Sequence, residues 1–277
     1  MYRESKFDTI VYNGKVVSKN DSLLTGIEDH PIVYEVIRLI NGVPLFFNEH
    51  IDRMNRSADM MGFKMCCNEA LLREEIAMLV DVTGELNHNI KLLYTEFDGK
   101  TESCAYFIPS FYPDPKVYVS GVNTVVYHSE RDNPNAKVLN RSLKERIERI
   151  RHETGSYEAI LVNKRHQVTE GSRSNIFFVK DNHIITARSN DVLEGITRQQ
   201  IILMMKNQGI PLIEKEILEA ELETFDGAFI TGTSINILPV KAIDKKQLNS
   251  GQHPLIIKMM TSLDNVINTY IKENINA

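Results

Sequence analysis

Residues 33–62 read VYEVIRLINGVPLFFNEHIDRMNRSADMMG, which predicts a β-hairpin followed at once by a helix. The apolar runs at residues 33–40 and 43–47 are of strand type, and Asn41-Gly42 between them tolerates the positive φ angles of a tight turn. Apolar residues then recur at the spacing of one helix face, before a glycine that suits a C-cap: Ile51, Met54, Ala58, Met61 and Gly62.

Strands and helices alternate on both sides of this stretch. Residues 9–12 predict a strand that enters a tight turn at Asn13-Gly14. A helix is predicted from Asn68, the N-cap, to Thr83, where Gly84 ends it. Further strands are predicted at residues 90–97, 105–111, 117–127, 159–162, 176–179, 183–186 and 228–231, and at Val168. Further helices are predicted around Leu143, Ile147 and Ile150 before Gly155, and at residues 197–208 and 255–272. The mixture indicates an α+β fold with much antiparallel pairing.

A proline-rich segment divides the chain. Residues 109–115 contain three prolines, which remove backbone donors and stiffen the chain, so this segment is the best linker candidate. We place the domain boundary near Pro113. The expectation is a small N-terminal α+β domain at residues 1–113 and a larger C-terminal α+β domain at residues 114–277. A chain of 277 residues is long enough for both.

Composition narrows the possible functions. The net charge of -5 argues against a general nucleic-acid partner, so any anion site must be local. The cysteines Cys66, Cys67 and Cys104 match neither a metal knuckle nor a disulfide framework, so reduced thiols in a cytoplasmic protein are expected and no metal site is. The N-terminus has no apolar run of signal-peptide type, and no stretch of 18 apolar residues exists, so no membrane partner is expected.

Three segments combine glycine with hydrogen-bonding side chains next to predicted strands or helices. Residues 169–175 place Glu170 at a strand junction, although a turn explains such a segment more often. Thr197 and Gln200 form a capping-box pattern that opens a helix, whose first amides suit a phosphate; a plain helix start is the commoner meaning. Residues 231–234 follow a strand, and their hydroxyls could contact a phosphate or carboxylate, or form a simple loop.

Two further segments carry cations. Arg53 lies on the polar side of the predicted helix, where a surface ion pair is the usual outcome. Lys137 lies between apolar neighbours just before a predicted helix. Most lysines are exposed, but a lysine buried near other cations can lose its proton and act as a nucleophilic amine.

The order of these segments resembles the fold-type IV pyridoxal-phosphate enzymes, the class IV aminotransferases. This family includes branched-chain aminotransferases, D-amino-acid aminotransferases and 4-amino-4-deoxychorismate lyases. The matching segments are residues 34–38, 50–53, 137–140, 170–171 with 174–177, 195–198, and 232–234 leading to 239–240. The resemblance implies a two-domain fold of D-amino-acid aminotransferase type, pyridoxal 5′-phosphate as cofactor, and usually a homodimer.

The resemblance also implies roles for individual residues. Lys137 would be the catalytic Schiff-base lysine and would move the proton of the substrate Cα. Glu170 would face the pyridine nitrogen, and Arg53 would pair with the phosphate. The full set of implied cofactor-binding residues is Arg53, Lys137, Glu170, Ser174, Asn175, Ile196, Thr197 and Thr233. The candidate substrate-binding residues are Tyr34, Lys91 and Ser234; a solvated strand residue is an equally good explanation of Lys91.

Departures from the family pattern bear on the substrate. D-Amino-acid aminotransferases carry an arginine where this chain has Glu96, the lyases favour a threonine near Val36, and branched-chain enzymes have a tyrosine where Ser142 stands. The loop at residues 29–33 also replaces a glycine-rich run. The expected function is transfer of an amino group between a branched-chain-like L-amino acid and a 2-oxo acid. The alternatives are a 4-amino-4-deoxychorismate lyase releasing pyruvate and 4-aminobenzoate, a D-amino-acid aminotransferase, and a non-catalytic binding protein.

Overall fold

The computed structural model describes residues 2–64, 67–97, 99–130, 135–138 and 141–275. The chain divides into two compact units. Unit 1 comprises residues 1–111, 136–139 and 267–277, and unit 2 comprises residues 112–135 and 140–266. The predicted domains at residues 1–113 and 114–277 would place residues 136–139 and 267–277 in the C-terminal domain, whereas both segments belong to unit 1. The two domains stay a prediction. Cys66 and Asn140, which the sequence analysis named, lie outside the described residues.

Unit 1 contains an antiparallel sheet with helices. Its strands are β1 (Thr9–Tyr12), β2 (Lys15–Ser18), β3 (Val33–Ile40), β4 (Val43–Pro44), β5 (Asn89–Phe97) and β6 (Lys100–Ile108). Its helices are α1 (Phe47–Met60), α2 (Glu69–Thr83) and three 3-10 turns at Tyr2–Glu4, Ser22–Leu24 and Ile27–Asp29. The described strands pair in the order β2-β1-β6-β5-β3-β4, and each of these pairings is antiparallel.

The local signals in unit 1 are confirmed where turn or cap chemistry sets them. Both Asn-Gly pairs form their turns, with φ of 47° and 71° at residues 13–14 and 52° and 80° at residues 41–42. The Asn68 side chain accepts from the Leu71 amide at the start of α2, and Gly84 ends it with φ of 67°. The predicted strand at residues 43–47 is too long, because Phe46 adopts the left-handed conformation and α1 begins at the next residue.

Both faces of the unit 1 sheet are covered by apolar side chains. Alternation along the strands sends neighbouring residues to opposite faces. Val11 and Leu92 therefore join the core formed with α1 and α2, whereas Ile10 and Leu93 join a second apolar cluster. The described free cysteines, Cys67 and Cys104, are both buried.

Unit 2 is built on a larger mixed sheet. Its strands are β7 (Val122–His128), β8 (Glu158–Val162), β9 (Gln167–Gly171), β10 (Asn175–Lys180), β11 (His183–Thr186), β12 (Leu212–Glu214), β13 (Ile217–Leu218), β14 (Gly227–Gly232), β15 (Asn236–Ile243) and β16 (Lys246–Gln247). Its helices are α3 (Pro115–Ser120), α4 (Arg141–Thr154), α5 (Ile196–Asn207) and 3-10 turns at Ser189–Asp191, Glu219–Thr224 and Ser250–Gln252; α6 (Pro254–Asn274) starts in unit 2.

The described strands of unit 2 pair in the order β12-β11-β10-β14-β15-β7-β8-β9-β13, with β16 on β15. The pairings β11–β12, β15–β7 and β7–β8 are parallel, and the rest are antiparallel. Apolar residues of β8, β10, β14 and β15 form the main core of the unit. Together the two units confirm the predicted α+β class. Within the described residues, no helix is long and apolar enough to cross a membrane.

Two predictions in unit 2 are wrong. The strand predicted at residues 117–127 is a short helix followed by β7, because Asp114 caps the Lys116 amide, Pro115 occupies the first turn and Gly121 ends it. The capping box predicted at Thr197 is absent, because the N-cap of α5 is Gly195, two residues before Thr197.

Candidate active site

A short segment of unit 1 presents Lys137, and its backbone is fixed by two neighbouring elements. The Lys137 amide donates to Ser57 Oγ of α1 at 3.1 Å. The Tyr34 amide of β3 donates to the Lys137 carbonyl at 3.2 Å, and Val138 forms an antiparallel bridge with Val33. A residue held by backbone bonds on both sides keeps its side chain in a defined place.

The Lys137 side chain is mostly buried, with 14% of it exposed. Its Nζ lies 3.7 Å from Oε2 of Glu35 and 5.4 Å from the centre of the Tyr34 ring. A carboxylate and an aromatic face both favour an ammonium group. The Lys137 amine therefore lies in the interior of unit 1, beside a carboxylate and an aromatic ring.

Glu35 is the centre of a buried polar cluster. It is completely buried on β3, and its two oxygens accept from Arg53 Nε and Nη2 at 2.7 Å each. His50 Nδ1 lies 2.7 Å from Oε2 of the same carboxylate. The two-pronged contact fixes the plane of the guanidinium. Arg53, predicted as a phosphate partner, is thus oriented by a carboxylate that the sequence analysis had given no role.

Charge in this cluster is set by its members. Burial by itself would raise the pKa of Glu35, but the charges of Arg53 and Lys137, together with the hydrogen bond from His50, hold it well below its ordinary value. Burial lowers the pKa of His50 despite the opposing effect of Glu35, so the ring is neutral and donates Nδ1–H to the carboxylate. Two cations and one anion leave a net positive charge when Lys137 is protonated, which suits an anionic ligand.

Lys91 is not a solvated strand residue. It is buried, and its Nζ pairs with Oε1 of Glu4 at 2.5 Å and lies 5.0 Å from the centre of the Tyr34 ring. Tyr106 donates its hydroxyl to the same Glu4 oxygen at 3.3 Å. Tyr34 therefore has both predicted lysines, Lys91 and Lys137, close to its ring.

Glu170 lies in unit 2, one residue before the end of β9, and is buried. Its Oε2 accepts from the Leu193 amide at 3.1 Å and from Asn175 Nδ2 at 3.3 Å. Asn175 also donates to the Leu193 carbonyl at 2.8 Å. These contacts hold the carboxylate in one orientation while it stays able to accept a further proton donor.

The turn after Glu170 requires its glycine. The Gly171 amide donates to the Ser174 carbonyl at 2.8 Å, and a Cβ on Gly171 would lie 2.1 Å from Ser174 Oγ. Ser172 and Ser174 both donate their hydroxyls to Glu158, which is completely buried on β8. The predicted residue Ser174 therefore orders the turn through Glu158.

The start of α5 approaches Asn175 closely. A Cβ on Gly195 would lie 2.2 Å from Asn175 Oδ1, so this N-cap must be glycine unless Asn175 moves. The amides of Ile196 and Thr197 belong to the first turn, where helical amides have no partner within the helix and the dipole favours an anion.

The turn between β14 and β15 carries Thr233 and Ser234. On β14, next to this turn, Thr231 Oγ1 is buried and has no hydrogen-bond partner among the described residues, and Thr231 is the register partner of Asn175. Buried hydroxyls are almost always paired, so this one marks a place where a polar group is expected.

Each unit by itself offers groups that suit the cofactor implied by the resemblance. Unit 1 offers a buried amine with a net positive cluster, and unit 2 offers an oriented carboxylate, helix amides and an orphaned hydroxyl. No role was predicted from the sequence for Glu35, His50, Ser57 or Glu158. A signal existed for Glu35, because it shares the inward-facing positions of its strand with Val33 and Ile37.

Comparisons with known proteins agree with this fit. The sequence model of the family described as "Amino-transferase class IV" matches residues 32–243. The chain is 30% identical over 278 residues to a D-alanine aminotransferase of Bacillus licheniformis, covering 93% of this chain and 96% of that protein.

Solved structures give the same result. The branched-chain aminotransferase from Thermoproteus uzoniensis with norvaline has a TM-score of 0.83 at 25% identity, over 95% of this chain and 97% of that one. The branched-chain aminotransferase of Escherichia coli has a TM-score of 0.82 at 23% identity, over 95% of each chain, and supports the fold alone.

Proposed function

Because the chain belongs to the class IV aminotransferase family, whose enzymes depend on pyridoxal phosphate, we propose that it is a transaminase with Lys137 as its catalytic lysine and a branched-chain-like L-amino acid as amino donor. The observation that carries this proposal is the cluster around Glu35. It keeps Lys137 Nζ at 3.7 Å from a carboxylate whose oxygens are already bound by Arg53 and His50. Glu35 can therefore stabilise the charge of Lys137 while the Nζ amine remains available to the cofactor.

The chemistry divides between the cofactor and the chain. When bound, the pyridine ring of the cofactor accepts the electrons left on the substrate Cα when a proton departs. Lys137 would attach the cofactor through Nζ, and the same Nζ would take that proton and return it. Glu170, which the Leu193 amide and Asn175 orient, would keep the ring nitrogen protonated.

Arg53, the first amides of α5 and Thr233 are the groups that would hold the phosphate. Arg53 supplies a guanidinium whose plane is fixed by Glu35, and the amides of Ile196 and Thr197 supply donors at a helix start. Thr233 adds a hydroxyl. A chain with a net charge of -5 needs such a local arrangement to retain an anion.

The substrate class rests on Glu96. D-Amino-acid aminotransferases bind the substrate carboxylate with an arginine at this position of the strand, whereas here Oε2 of Glu96 accepts from the Lys64 amide at 2.6 Å. A carboxylate would repel the substrate carboxylate. This favours an L-amino acid over a D-amino acid, and the norvaline of the Thermoproteus structure supports an aliphatic side chain.

Absorption spectroscopy of the purified protein with pyridoxal phosphate tests the proposal. We expect a visible band in the wild type and in Lys144→Ala, a control at an exposed lysine of α4, and none in Lys137→Ala. L-Leucine, L-isoleucine or L-valine should bleach the band, and a 2-oxo acid should restore it. Transaminase activity should fall by about 10²–10⁴-fold or more in Lys137→Ala.

Each other outcome selects a different function. Bleaching by D-alanine but by no L-amino acid would leave the transaminase and overturn the substrate class. Release of pyruvate from aminodeoxychorismate without any 2-oxo acid would indicate a lyase. A band that no amino acid bleaches would indicate a binding protein, and an equal band in Lys137→Ala would remove the role of that lysine.

A further inference from the structure

Three side chains of metal-ligand type meet at one end of the unit 2 sheet. His128 is the last residue of β7, His166 lies in the turn between β8 and β9, and Glu219 opens the 3-10 turn after β13. The three residues are far apart in sequence, so no motif of closely spaced ligands predicts a metal site here. None of them belongs to the set implied for the cofactor.

The backbone around these residues is well fixed. His128 is the register partner of Val162 at the end of β8. The Glu219 amide donates to the His166 carbonyl at 2.9 Å, and β13 pairs with β9 just before Glu219. The three side chains therefore start from strand ends that are tied to one another.

The potential ligand atoms are already close together. Nε2 of His128 and Nδ1 of His166 lie 3.0 and 3.2 Å from the same oxygen, Oε2 of Glu219. All three ligand atoms lie within 4.8 Å of one another. Zinc bonds of about 2.0–2.2 Å in a tetrahedron place ligand atoms about 3.4 Å apart. Small side-chain rotations are enough to reach that geometry.

The turn fixes the direction of the His166 side chain. Its φ is 57°, in the left-handed region that histidine adopts more often than most residues. Nδ1 of His166 lies 3.2 Å from Oε2 of Glu219.

Nearby charges permit a cation at this place. The two cations beside His166 have their own carboxylates, since Lys164 pairs with Glu130 at 3.8 Å and Arg165 with Asp191 at 4.0 Å. The histidine side chains are 59% and 76% exposed, so an ion and its waters can reach them from solvent.

We propose that His128, His166 and Glu219 form a binding site for a divalent transition metal ion, with zinc as the best match and water completing its coordination. Two imidazole nitrogens with one carboxylate suit zinc, nickel, cobalt or copper, whereas magnesium and calcium prefer oxygen ligands. The bound ion joins the ends of β7, the β8–β9 turn and the β13 segment, and so stabilises this end of the sheet.

Calorimetric titration of zinc chloride into the cofactor-loaded protein tests the site, in a buffer without phosphate, amino acids or other chelators. One zinc ion should bind per chain, and magnesium should not. Zinc binding should weaken by about 10–100-fold or more in each of His128→Ala, His166→Ala and Glu219→Gln. Loss of a residue that only hydrogen-bonds to a metal ligand already has an effect of this size, and loss of the ligand itself should cost at least as much. His183→Ala, at another exposed histidine of unit 2, should bind like the wild type.

A thermal scan supplies a second readout that does not depend on activity. Zinc should raise the Tm of the wild type and of His183→Ala by a few degrees, and should leave His128→Ala unchanged. Glu219→Gln keeps the size of the side chain and replaces the alanine variants if these fail to fold. The proposal would be overturned by the absence of zinc binding at zinc concentrations up to about 1 mM, which corresponds to a binding free energy of about -4 kcal/mol. Equal zinc binding by the wild type and Glu219→Gln would also overturn it.

Discussion

Among the described residues of unit 1, two glutamates are completely buried, Glu35 and Glu75, and the groups that bind them differ. Glu35 on β3 is bound by Arg53 and His50, with Lys137 nearby. Glu75 on α2 has no such cation: Ser103 Oγ donates to its Oε1 at 2.6 Å and the Gly14 amide at 3.0 Å. The other oxygen, Oε2, has no hydrogen-bond partner among the described residues.

The difference shows that partners, rather than burial, decide the charge of a buried carboxylate. Burial disfavours the ionised form of both groups. Around Glu35 the neighbouring charges outweigh that effect, and its pKa is lowered. Around Glu75 two hydrogen bonds lower the pKa too little to offset burial, and the net shift is upward. The first glutamate belongs to the proposed catalytic site, and the second ties the Asn13-Gly14 turn to a helix.

Glu35→Gln should have the largest effect on stability. It leaves Arg53 and Lys137 buried without their anion, and breaking a buried pair costs about 3–5 kcal/mol. Because the folded pKa of Glu35 lies below its unfolded value, its contribution is complete above pH about 4.5 and is lost as the pH falls through the folded value. Urea unfolding at several pH values, followed by circular dichroism, measures both the loss of unfolding free energy and its change with pH.

A double variant sharpens this test. Glu35→Gln combined with Arg53→Met removes the anion and one of its two cations, so it should be less destabilised than Glu35→Gln alone. A cost below about 1 kcal/mol for Glu35→Gln would contradict the buried ion cluster, since a loss that small is typical of surface pairs.

Both glutamates could be located from the sequence, but their partners could not. Glu35 alternates with apolar residues along its strand, and Glu75 lies on the apolar stripe of its helix with Leu72 and Ile76. Such patterns predict that a side chain points inward. They do not identify what it meets, because Lys137 lies about a hundred residues away from Glu35 in the chain.

In the rest of the fold, too, local features could be predicted from the sequence and tertiary contacts could not. Features set by one or two residues were predicted correctly, such as the Asn41-Gly42 turn and the Asn68 cap. The strand predicted at residues 117–127 failed because Asp114 and Pro115 outweigh the strand preference of the valines after them. The candidate site came from a resemblance, and the roles it implies stay predictions. Contacts such as Arg53 with Glu35 depend on tertiary packing, which no local pattern contains.

Compared with Glu75→Gln, the wild type should lose stability as the pH rises, which is the opposite of the pH dependence expected at Glu35. The folded pKa of Glu75 is raised, so the folded protein binds more protons than the unfolded chain above pH about 4.5, and stability falls as the pH rises. Glutamine cannot ionise, so the variant should avoid this loss, which is roughly 1–3 kcal/mol for an uncompensated buried group. Urea unfolding between pH 4.5 and 8 measures it.

A difference between wild type and Glu75→Gln that does not change with pH would contradict the raised pKa. A wild type that gains stability relative to Glu75→Gln as the pH rises would contradict it more strongly, because that is the behaviour expected of Glu35. The two variants therefore test each other, and parallel pH profiles would show that the two glutamates do not differ as described.

Ser103→Ala should have the smallest effect, and its pH dependence is the informative part. Losing the hydroxyl that donates to Glu75 costs about 0.5–1.5 kcal/mol. This hydrogen bond lowers the pKa of Glu75, so its loss raises that pKa further and the cost should grow as the pH rises. Ser5→Ala is a matched control, because Ser5 is equally buried and donates to the Phe107 carbonyl, which does not titrate. If the costs of both variants stay constant between pH 4.5 and 8, the Ser103 hydroxyl does not control the ionisation of Glu75.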